Sequence, residues 1–383
     1  MADAPSRTVY DLSWKRTKHE SCTLEESFFA FTDVSALPQY DRVRHLVNRW
    51  VADIPDKAWP HWLQRYTSDH TMHHFGALYE LLLFEVFRVF GFEVEWEPQT
   101  NGPSIPDFRI AAEPAILVEA AAFAADADHN NAMDAAYRLL DRTSLSLPAT
   151  AHRVEVRIRT RPKSRPNEES FRSWAKASFL TMKPRDELTY VCPQSGLELL
   201  LTAKASSREA GKRIHCSLGE GEAHYDQTGE SFRTVINRKI KQHSIGKRIE
   251  TQFLLTLGVV DDQGGNFGHD EVLDELYGRR YIRLGGPSME VVGTGRHPNG
   301  VLWRSGATKE PRTYPAAFLI ANGWRDLDPA RCRFTLFDNA YASAPILQNW
   351  PFRRIRASAE SGLLETVEGD QEGLACLARL LAV

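Results

Sequence analysis

The sequence predicts a mixed α/β fold with a central β-sheet flanked by helices, and three observations support this prediction. The chain has 383 residues, of which 42% are hydrophobic and 25% charged, a balance typical of a globular protein with a sizeable core. A long apolar helix is followed by three short strands, then by a helix and another strand, and this order favours a mixed sheet. No period of roughly 20–50 residues repeats, which excludes solenoids and propellers.

Hydrophobic periodicity predicts the elements in chain order. Helical spacing begins around 43–51, and the segment 71–90 is the clearest helix, ended by Gly91. Short apolar or alternating runs bounded by Gly, Pro and Asn then indicate strands. The predicted strands are 92–97, 106–111, 115–121, 153–161, 188–192, 197–203, 251–260, 316–320 and 333–337, and the later predicted helices are 130–141, 167–182 and 230–246.

The length and the change of composition along the chain predict three parts. Residues 1–70 are predicted to form a mainly helical N-terminal extension, and residues 71–265 an α/β core. After the Gly-rich segment 261–265, Gly, Pro and Arg become more frequent, so residues 266–383 are predicted to form a C-terminal α+β extension.

Composition also argues against a membrane protein, a secreted protein and a disulfide-linked protein. The net charge is −3, from 47 Lys and Arg against 50 Asp and Glu. No apolar run approaches the roughly 20 residues that a membrane-spanning helix needs, and no basic-then-apolar signal begins the chain. The five cysteines include no CxxC pair, which favours reduced thiols in the cytoplasm over a disulfide framework or a zinc ribbon.

Three carboxylates form the strongest candidate site. Glu80 lies in the first long helix, Asp107 opens a predicted strand, and Glu119 lies in the next strand. Strand alternation places Glu119 on one face with Leu117 and Ala121. A carboxylate in so apolar a strand is costly to bury unless it is paired or holds a cation. Each acid alone also fits a partly solvated position, but together they predict an oxygen-rich site for Mg²⁺ or Mn²⁺.

These three segments resemble the PD-(D/E)XK, or restriction-endonuclease-like, nuclease superfamily. The similar segments are Ala77-Leu-Tyr-Glu-Leu, Ser104-Ile-Pro-Asp-Phe and Leu117-Val-Glu-Ala. The resemblance implies a nuclease core within 71–265 and metal-dependent hydrolysis of DNA phosphodiester bonds. It also implies a role in phage defence, restriction or repair, with a homodimer or defence-system proteins as partners, although no single residue indicates that role.

The same resemblance implies roles for individual residues. Asp107 and Glu119 would be metal ligands, assisted by the backbone carbonyl of Ala120, and Glu80 would be a third ligand acting through water. The sequence departs from the superfamily in one respect. The Lys that normally stands two residues after the strand Glu is absent, and Ala121 takes its place.

Lys239 is the candidate replacement for that missing Lys. Some branches of the superfamily carry the Lys on the following helix, which approaches the site from the other side. On a helical wheel, Lys239 lies about 35° from the centre of the apolar face of the helix 231–246, whereas Lys241 lies on the opposite side. The small Ala121 would leave room for the ammonium group. The alternative is a Lys that extends from the rim of the apolar face to solvent.

Further candidates are basic residues and histidines. The alternating strand 153–161 directs Arg157, Arg159 and Arg161 to one side, about 6.6 Å apart, where they could bind a nucleic-acid backbone without sequence preference. The alternative is a charged, solvated edge strand. His73, one of the polar residues at a helix start, and His243, one turn after Lys239, are expected either near the site or in ordinary packing roles.

The sequence therefore predicts a Mg²⁺-dependent nuclease acting on DNA, with Glu80, Asp107, Glu119 and Lys239 as its catalytic residues. Because Ala121 replaces the expected Lys, the alternative is a catalytically silent fold of this type that binds nucleic acid or protein. A DNA-binding regulatory protein is a third interpretation, but the sequence contains no evident recognition helix.

Overall fold

The computed structural model describes most of the chain. The described residues are 7–19, 26–99, 104–124, 139, 152–160, 164, 166–179, 181–183, 185–205, 214–216, 225–242, 252–260, 269–285, 290–302, 311–329, 331–343, 346, 350–357, 364–367, 378 and 380–381. The chain divides into two compact units. Unit 1 comprises Met1–Cys22, Glu26–Ala125 and Asp226–Val383, and unit 2 comprises Thr23–Glu25 and Asp126–Tyr225. The sequence predicted no boundary near 125 or 225.

The helices of the described residues agree in large part with the predicted ones. Their bounds are α1 Phe28–Val34, α2 Pro38–Trp50, α3 Trp59–Tyr66, α4 Thr71–Val89, α5 Glu168–Phe179, α6 Tyr225–Gln242 and α7 His269–Tyr277, with a 3₁₀ turn at Val51–Asp53. The long apolar helix is α4, and α6 carries Lys239. The predicted helix 130–141 lies outside the described residues apart from Leu139. Among the described helices, none is long and apolar enough to cross a membrane.

The strands of the described residues include most of the predicted ones. Their bounds are β1 Val94–Trp96, β2 Phe108–Ile110, β3 Ile116–Ala124, β4 His152–Thr160, β5 Glu187–Val191, β6 Glu198–Ala205, β7 Ile214–Cys216, β8 Gln252–Val260, β9 Arg280–Gly285, β10 Glu290–Arg296, β11 Ala317–Asn322, β12 Arg333–Asp338, β13 Arg353–Ala357 and β14 Leu364–Val367.

The main sheet of unit 1 has eight strands and confirms the predicted mixed α/β class. The order of the strands is β1-β2-β3-β8-β11-β12-β13-β14, with β3, β8 and β11 parallel and β2 antiparallel to β3. Strands from the segment after 265 therefore extend the same sheet. That segment also forms a two-stranded antiparallel ribbon of β9 and β10.

The alternation of β3 and β8 places α4 and α6 on opposite faces of the sheet. On one face, Leu117, Leu255 and Leu257 form a core with Phe232 and Ile236 of α6. The other face receives α4, whose buried apolar residues make it a core helix. This arrangement lets two helices approach the same region of β3 from opposite sides.

Gly258 is required where α4 crosses β8. A Cβ atom at this position would lie 2.7 Å from a ring carbon of Tyr79 and 2.9 Å from one of Trp324, closer than side chains pack. The missing side chain thus allows Tyr79, the residue before Glu80, to lie directly on the sheet. The position of Glu80 along the sheet depends on this contact.

Unit 2 has its own sheet and core. The order of its strands is β5-β6-β4-β7, and α5 belongs to the same unit. Phe171 and Ala175 of α5 pack with Val156 and Leu199 in a buried apolar cluster. This cluster stabilises unit 2 through apolar area removed from water.

We predict that Gly258→Ala destabilises unit 1, because its methyl group would force Tyr79 or Trp324 away from β8. Overpacking of this kind costs about 1–3 kcal/mol. Gly76→Ala is the matched control in α4, since a Cβ there meets nothing within 4 Å and the helix gains about 0.5–1 kcal/mol. Chemical denaturation of both variants checks the prediction, and equal or reversed effects would contradict it.

Candidate functional site

The candidate site lies where β3 extends past the end of its neighbour β2. The two strands pair as far as Phe108 with Val118. Beyond that pair, the Ala120 N–H donates to Asp107 Oδ2 at 2.7 Å. The carboxylate thus accepts the hydrogen bond of a backbone N–H at the edge of β3. Because a strand residue directs its N–H and C=O to the same side, the Ala120 carbonyl also belongs to this edge.

Glu119 and Lys239 form a buried ion pair at this edge. Glu119 is 2% exposed, and the Lys239 Nζ atom lies 2.5 Å from Glu119 Oε1. Ala121 packs on the same face of β3, and the Thr256 hydroxyl donates to the Glu119 carbonyl at 3.1 Å. The orientation of Lys239 towards the carboxylates agrees with the helical wheel; its catalytic role stays a prediction.

Glu80 has a cationic partner that the sequence did not predict. Both terminal nitrogens of Arg65, in the last turn of α3, donate to the two Glu80 oxygens at 2.5 Å each. Glu80 is 6% exposed, so the pair is largely removed from water. A water-mediated metal role for Glu80 stays a prediction, since both of its oxygens face Arg65 in this arrangement.

The charges of these groups influence one another. Burial, followed by the charges of Glu119 and Glu80, raises the pKa of Asp107 well above its ordinary value, against the opposing effects of Lys239 and the Ala120 N–H. Burial alone would lower the pKa of Lys239, but the negative charges of Glu119, Asp107 and Glu80 raise it overall. Three carboxylates thus face two cations, Lys239 and Arg65, and the raised pKa of Asp107 means that the third negative charge in the cluster is disfavoured.

A divalent cation at this edge would favour the ionised form of Asp107, because it would supply the additional positive charge. Within the described ranges, no three His, Cys, Asp or Glu side chains are grouped closely enough to hold a metal ion. Mg²⁺, however, keeps several waters and is commonly bound by one or two carboxylates together with substrate phosphates. Asp107 and Glu119, with the Ala120 carbonyl, are oxygen donors of that kind at this edge, and their role as metal ligands stays a prediction.

The candidate His73 and its neighbour His74, at the start of α4, differ in their surroundings. His74 is buried, and its Nδ1 donates to the Tyr66 carbonyl at 2.6 Å; burial lowers its pKa to about 4, which makes it a neutral core residue. His73 is exposed, and its ring stacks on that of His70. Burial and then the charges of His70 and Arg65 lower the pKa of His73. His243 lies outside the described residues.

The arginine candidates belong to unit 2. Arg157 and Arg159 are exposed, on the side of β4 away from Val156 and its core. Arg159 lies 3.8 Å from Glu198, with both side chains partly exposed, so this contact holds the arginine weakly. Arg161 lies outside the described residues. The two described arginines are accessible to an anionic ligand.

Tyr314 is a second residue that the sequence did not predict. Its ring packs on Phe253, with ring centroids 4.8 Å apart, and its buried hydroxyl has no partner among the described residues. Burial, followed by the charge of Glu119, raises the pKa of Tyr314, so the phenol stays protonated and can donate a hydrogen bond. Its position just before β11 gave no periodic signal.

Comparisons with known proteins add no further assignment. No family model, no curated protein and no solved structure matches this chain. The resemblance to PD-(D/E)XK nucleases therefore depends on the three sequence motifs alone and stays a prediction.

We predict that Asp107→Asn raises the thermal stability of the metal-free protein near pH 8 by a few degrees. Asn retains an acceptor for the Ala120 N–H but removes one negative charge. Because the folded-state pKa of Asp107 is raised, its charge opposes folding once the pH exceeds the unfolded carboxyl value of about 3.9, and increasingly so up to the folded-state pKa.

Thermal melts in EDTA and in Mn²⁺ measure this effect. Mn²⁺ should raise the melting temperature of the wild type and have little effect on Asp107→Asn, because binding to the folded state alone stabilises it. A variant that is less stable in EDTA and still responds fully to Mn²⁺ would contradict the assignment of Asp107 as a ligand.

Proposed function

We propose that this protein is a Mg²⁺-dependent nuclease of the PD-(D/E)XK type that hydrolyses phosphodiester bonds in DNA. The observation that carries the proposal is the ion pair between Lys239 and Glu119, next to the Asp107 carboxylate at the edge of β3. It supplies a cation from a helix where the superfamily's strand Lys is replaced by Ala121. Two acids, a Lys from a helix and a sheet edge thus lie in one small region, as the proposed migration of the Lys requires.

Asp107, Glu119 and the Ala120 carbonyl would hold the metal in this proposal. When bound, Mg²⁺ would polarise the phosphodiester and lower the pKa of a coordinated water. The raised pKa of Asp107 supports a cluster that needs additional positive charge. The Ala120 N–H keeps the Asp107 carboxylate in place and leaves its other oxygen for a ligand.

Lys239 would act as a hydrogen-bond donor and not as a proton acceptor. Its pKa is raised by the neighbouring carboxylates, so its ammonium stays charged at neutral pH. A charged ammonium can orient the attacking water and stabilise the negative charge that develops on the phosphate oxygens. The water oxygen would form the new P–O bond as the ester P–O bond breaks, with the water proton lost to solvent and the leaving oxygen protonated.

A catalytically silent fold of this type is the second candidate. It is favoured by the absence, within the described ranges, of three metal-binding side chains in one group, and by the cations already paired with Glu80 and Glu119. Such a module would bind nucleic acid or protein without cleavage. A stable DNA complex with no cleavage in Mg²⁺ or Mn²⁺ would favour this candidate.

A cytoplasmic role in phage defence, restriction or repair belongs to the same proposal and comes from the resemblance. Cys192 and Cys332 are buried free thiols, which supports a reducing compartment. A homodimer, common among enzymes that cut both strands, is proposed by analogy alone.

We predict that the wild type cleaves DNA in Mg²⁺ or Mn²⁺ and that Asp107→Ala, Glu119→Ala and Lys239→Ala each lower the rate by about a hundredfold or more, as removal of a group that stabilises the transition state does. Plasmid, linear and single-stranded DNA should be compared as substrates. Lys241→Ala is the matched control, because Lys241 is exposed on the same helix.

The folded state of each variant must be checked by circular dichroism, since unpairing a buried charge destabilises a protein by about 3–5 kcal/mol. Glu119→Gln with Lys239→Met is a useful double variant, because it removes both charges at once. Equal cleavage by the wild type and by all three single variants would overturn the proposed site.

We predict that Arg157→Ala with Arg159→Ala weakens DNA binding uniformly across sequences. For every phosphate that an arginine no longer neutralises, the slope of log K against log salt should become shallower by about 0.9. Arg172→Ala is the control, since Arg172 is an exposed arginine of α5 in the same unit. Fluorescence anisotropy over a salt series measures the effect, and an unchanged slope would exclude these arginines from the interface.

A further inference from the structure

The packing of α3 against α4 fixes Arg65 beside the candidate site. The Trp62 indole N–H donates to the Ala77 carbonyl at 2.8 Å, and Trp62 and Tyr66 are fully buried. Because these anchors flank Arg65 in the sequence and hold α3 on α4, the guanidinium reaches Glu80 with a fixed position. It also lies close enough to Asp107 for their charges to interact.

The hydrogen bonds of Arg65 leave donors unused. A guanidinium has five N–H groups, and Arg65 directs one from each terminal nitrogen to Glu80. Its Nε is buried and has no partner among the described residues. A buried Nε cannot meet a ligand from solvent, so the donors left for a substrate are the second N–H groups of the two terminal nitrogens, on a side chain that is 24% exposed.

We propose that Arg65 binds a non-bridging oxygen of the DNA phosphate at this site and that Glu80 is the positioning residue that orients it. The inference rests on the proposed nuclease function and deepens it. A guanidinium N–H forms a charge-assisted hydrogen bond with a phosphate oxygen, and the planar group holds that donor in a fixed direction. An arginine oriented by a carboxylate in this way retains donors for the substrate, whereas Glu80 has both oxygens engaged.

Glu80 thereby has a different role from that of a metal ligand. With Asp107 and Glu119 holding the metal, Arg65 would supply positive charge on the opposite side of the phosphate. The simpler alternative is that Arg65 only neutralises buried Glu80. The two interpretations differ in what happens when both charges are removed together.

The decisive comparison uses Arg65→Gln, Arg65→Lys and the double variant Arg65→Gln with Glu80→Gln in the full chain. Removing Arg65 alone leaves Glu80 buried without its cation, so Arg65→Gln by itself can unfold the protein. In the double variant, two amides replace the charged pair and restore stability. Arg65→Lys keeps the charge but lacks the planar fork.

A matched control is the ion pair of Arg233 on α6 with Glu275 on α7. Its side chains are 33% and 10% exposed, close to the 24% and 7% of Arg65 and Glu80. Arg233→Gln and the double variant with Glu275→Gln therefore remove a similar pair without touching the candidate site.

The measurement is the Kd for fluorescent duplex and single-stranded DNA oligonucleotides in Ca²⁺, which allows binding without cleavage to be measured, together with thermal melts. We expect the Arg65 double variant to be folded and to bind DNA about tenfold or more weakly, as removal of a charged hydrogen bond does. Arg65→Lys should fall between it and the wild type, and the Arg233 variants should bind like the wild type.

If the double variant recovers stability and binds DNA like the wild type, Arg65 is structural and the inference is wrong. If the wild type binds DNA through Arg65 but cleaves none in Mg²⁺ or Mn²⁺, the nuclease proposal fails and the Arg65 contact stands. Cleavage that requires Asp107 but has the same Kd in all Arg65 variants overturns the Arg65 contact alone. A wild type that binds no DNA overturns both.

Discussion

The candidate site depends on the need to balance negative charge that the fold removes from water. Glu119 is almost fully buried in the centre of an apolar strand, a position that an isolated carboxylate cannot occupy without a large penalty. Lys239 meets this need directly, and Arg65 does the same for Glu80. The helices α3, α4 and α6 must therefore take specific positions relative to β3, because each delivers one charge of the network.

The orientation of residues that lie in regular helices and strands could be predicted from the sequence. Alternation along β3 gave the face of Glu119, and the apolar face of α6 gave the direction of Lys239, since both depend on local geometry. The mixed sheet followed from the order of elements. Each of these features is determined by residues that are close together in the sequence.

Arg65 and Tyr314 could not be predicted in this way. Arg65 lies in a short helix dominated by aromatic residues, and its partner is chosen by how α3 packs on α4. Tyr314 lies in an irregular segment that only the completed sheet brings near Glu119. The strand β13 was also missed, because three arginines in five residues are typical of a solvated segment. The separate unit from Asp126 to Tyr225 shows no marked change of composition at its limits, so these limits left no signal.

The insertion of unit 2 between β3 and α6 has a consequence for synthesis of the chain. Asp107 and Glu119 leave the ribosome early, but their cation at Lys239 follows only after the whole inserted unit has been made. Closing a loop of this size delays the contact beyond those made by local pairing. A partly synthesised chain thus lacks the complete charge network. Because Lys239 is translated last of these charged residues, the site cannot form before the inserted unit has been synthesised.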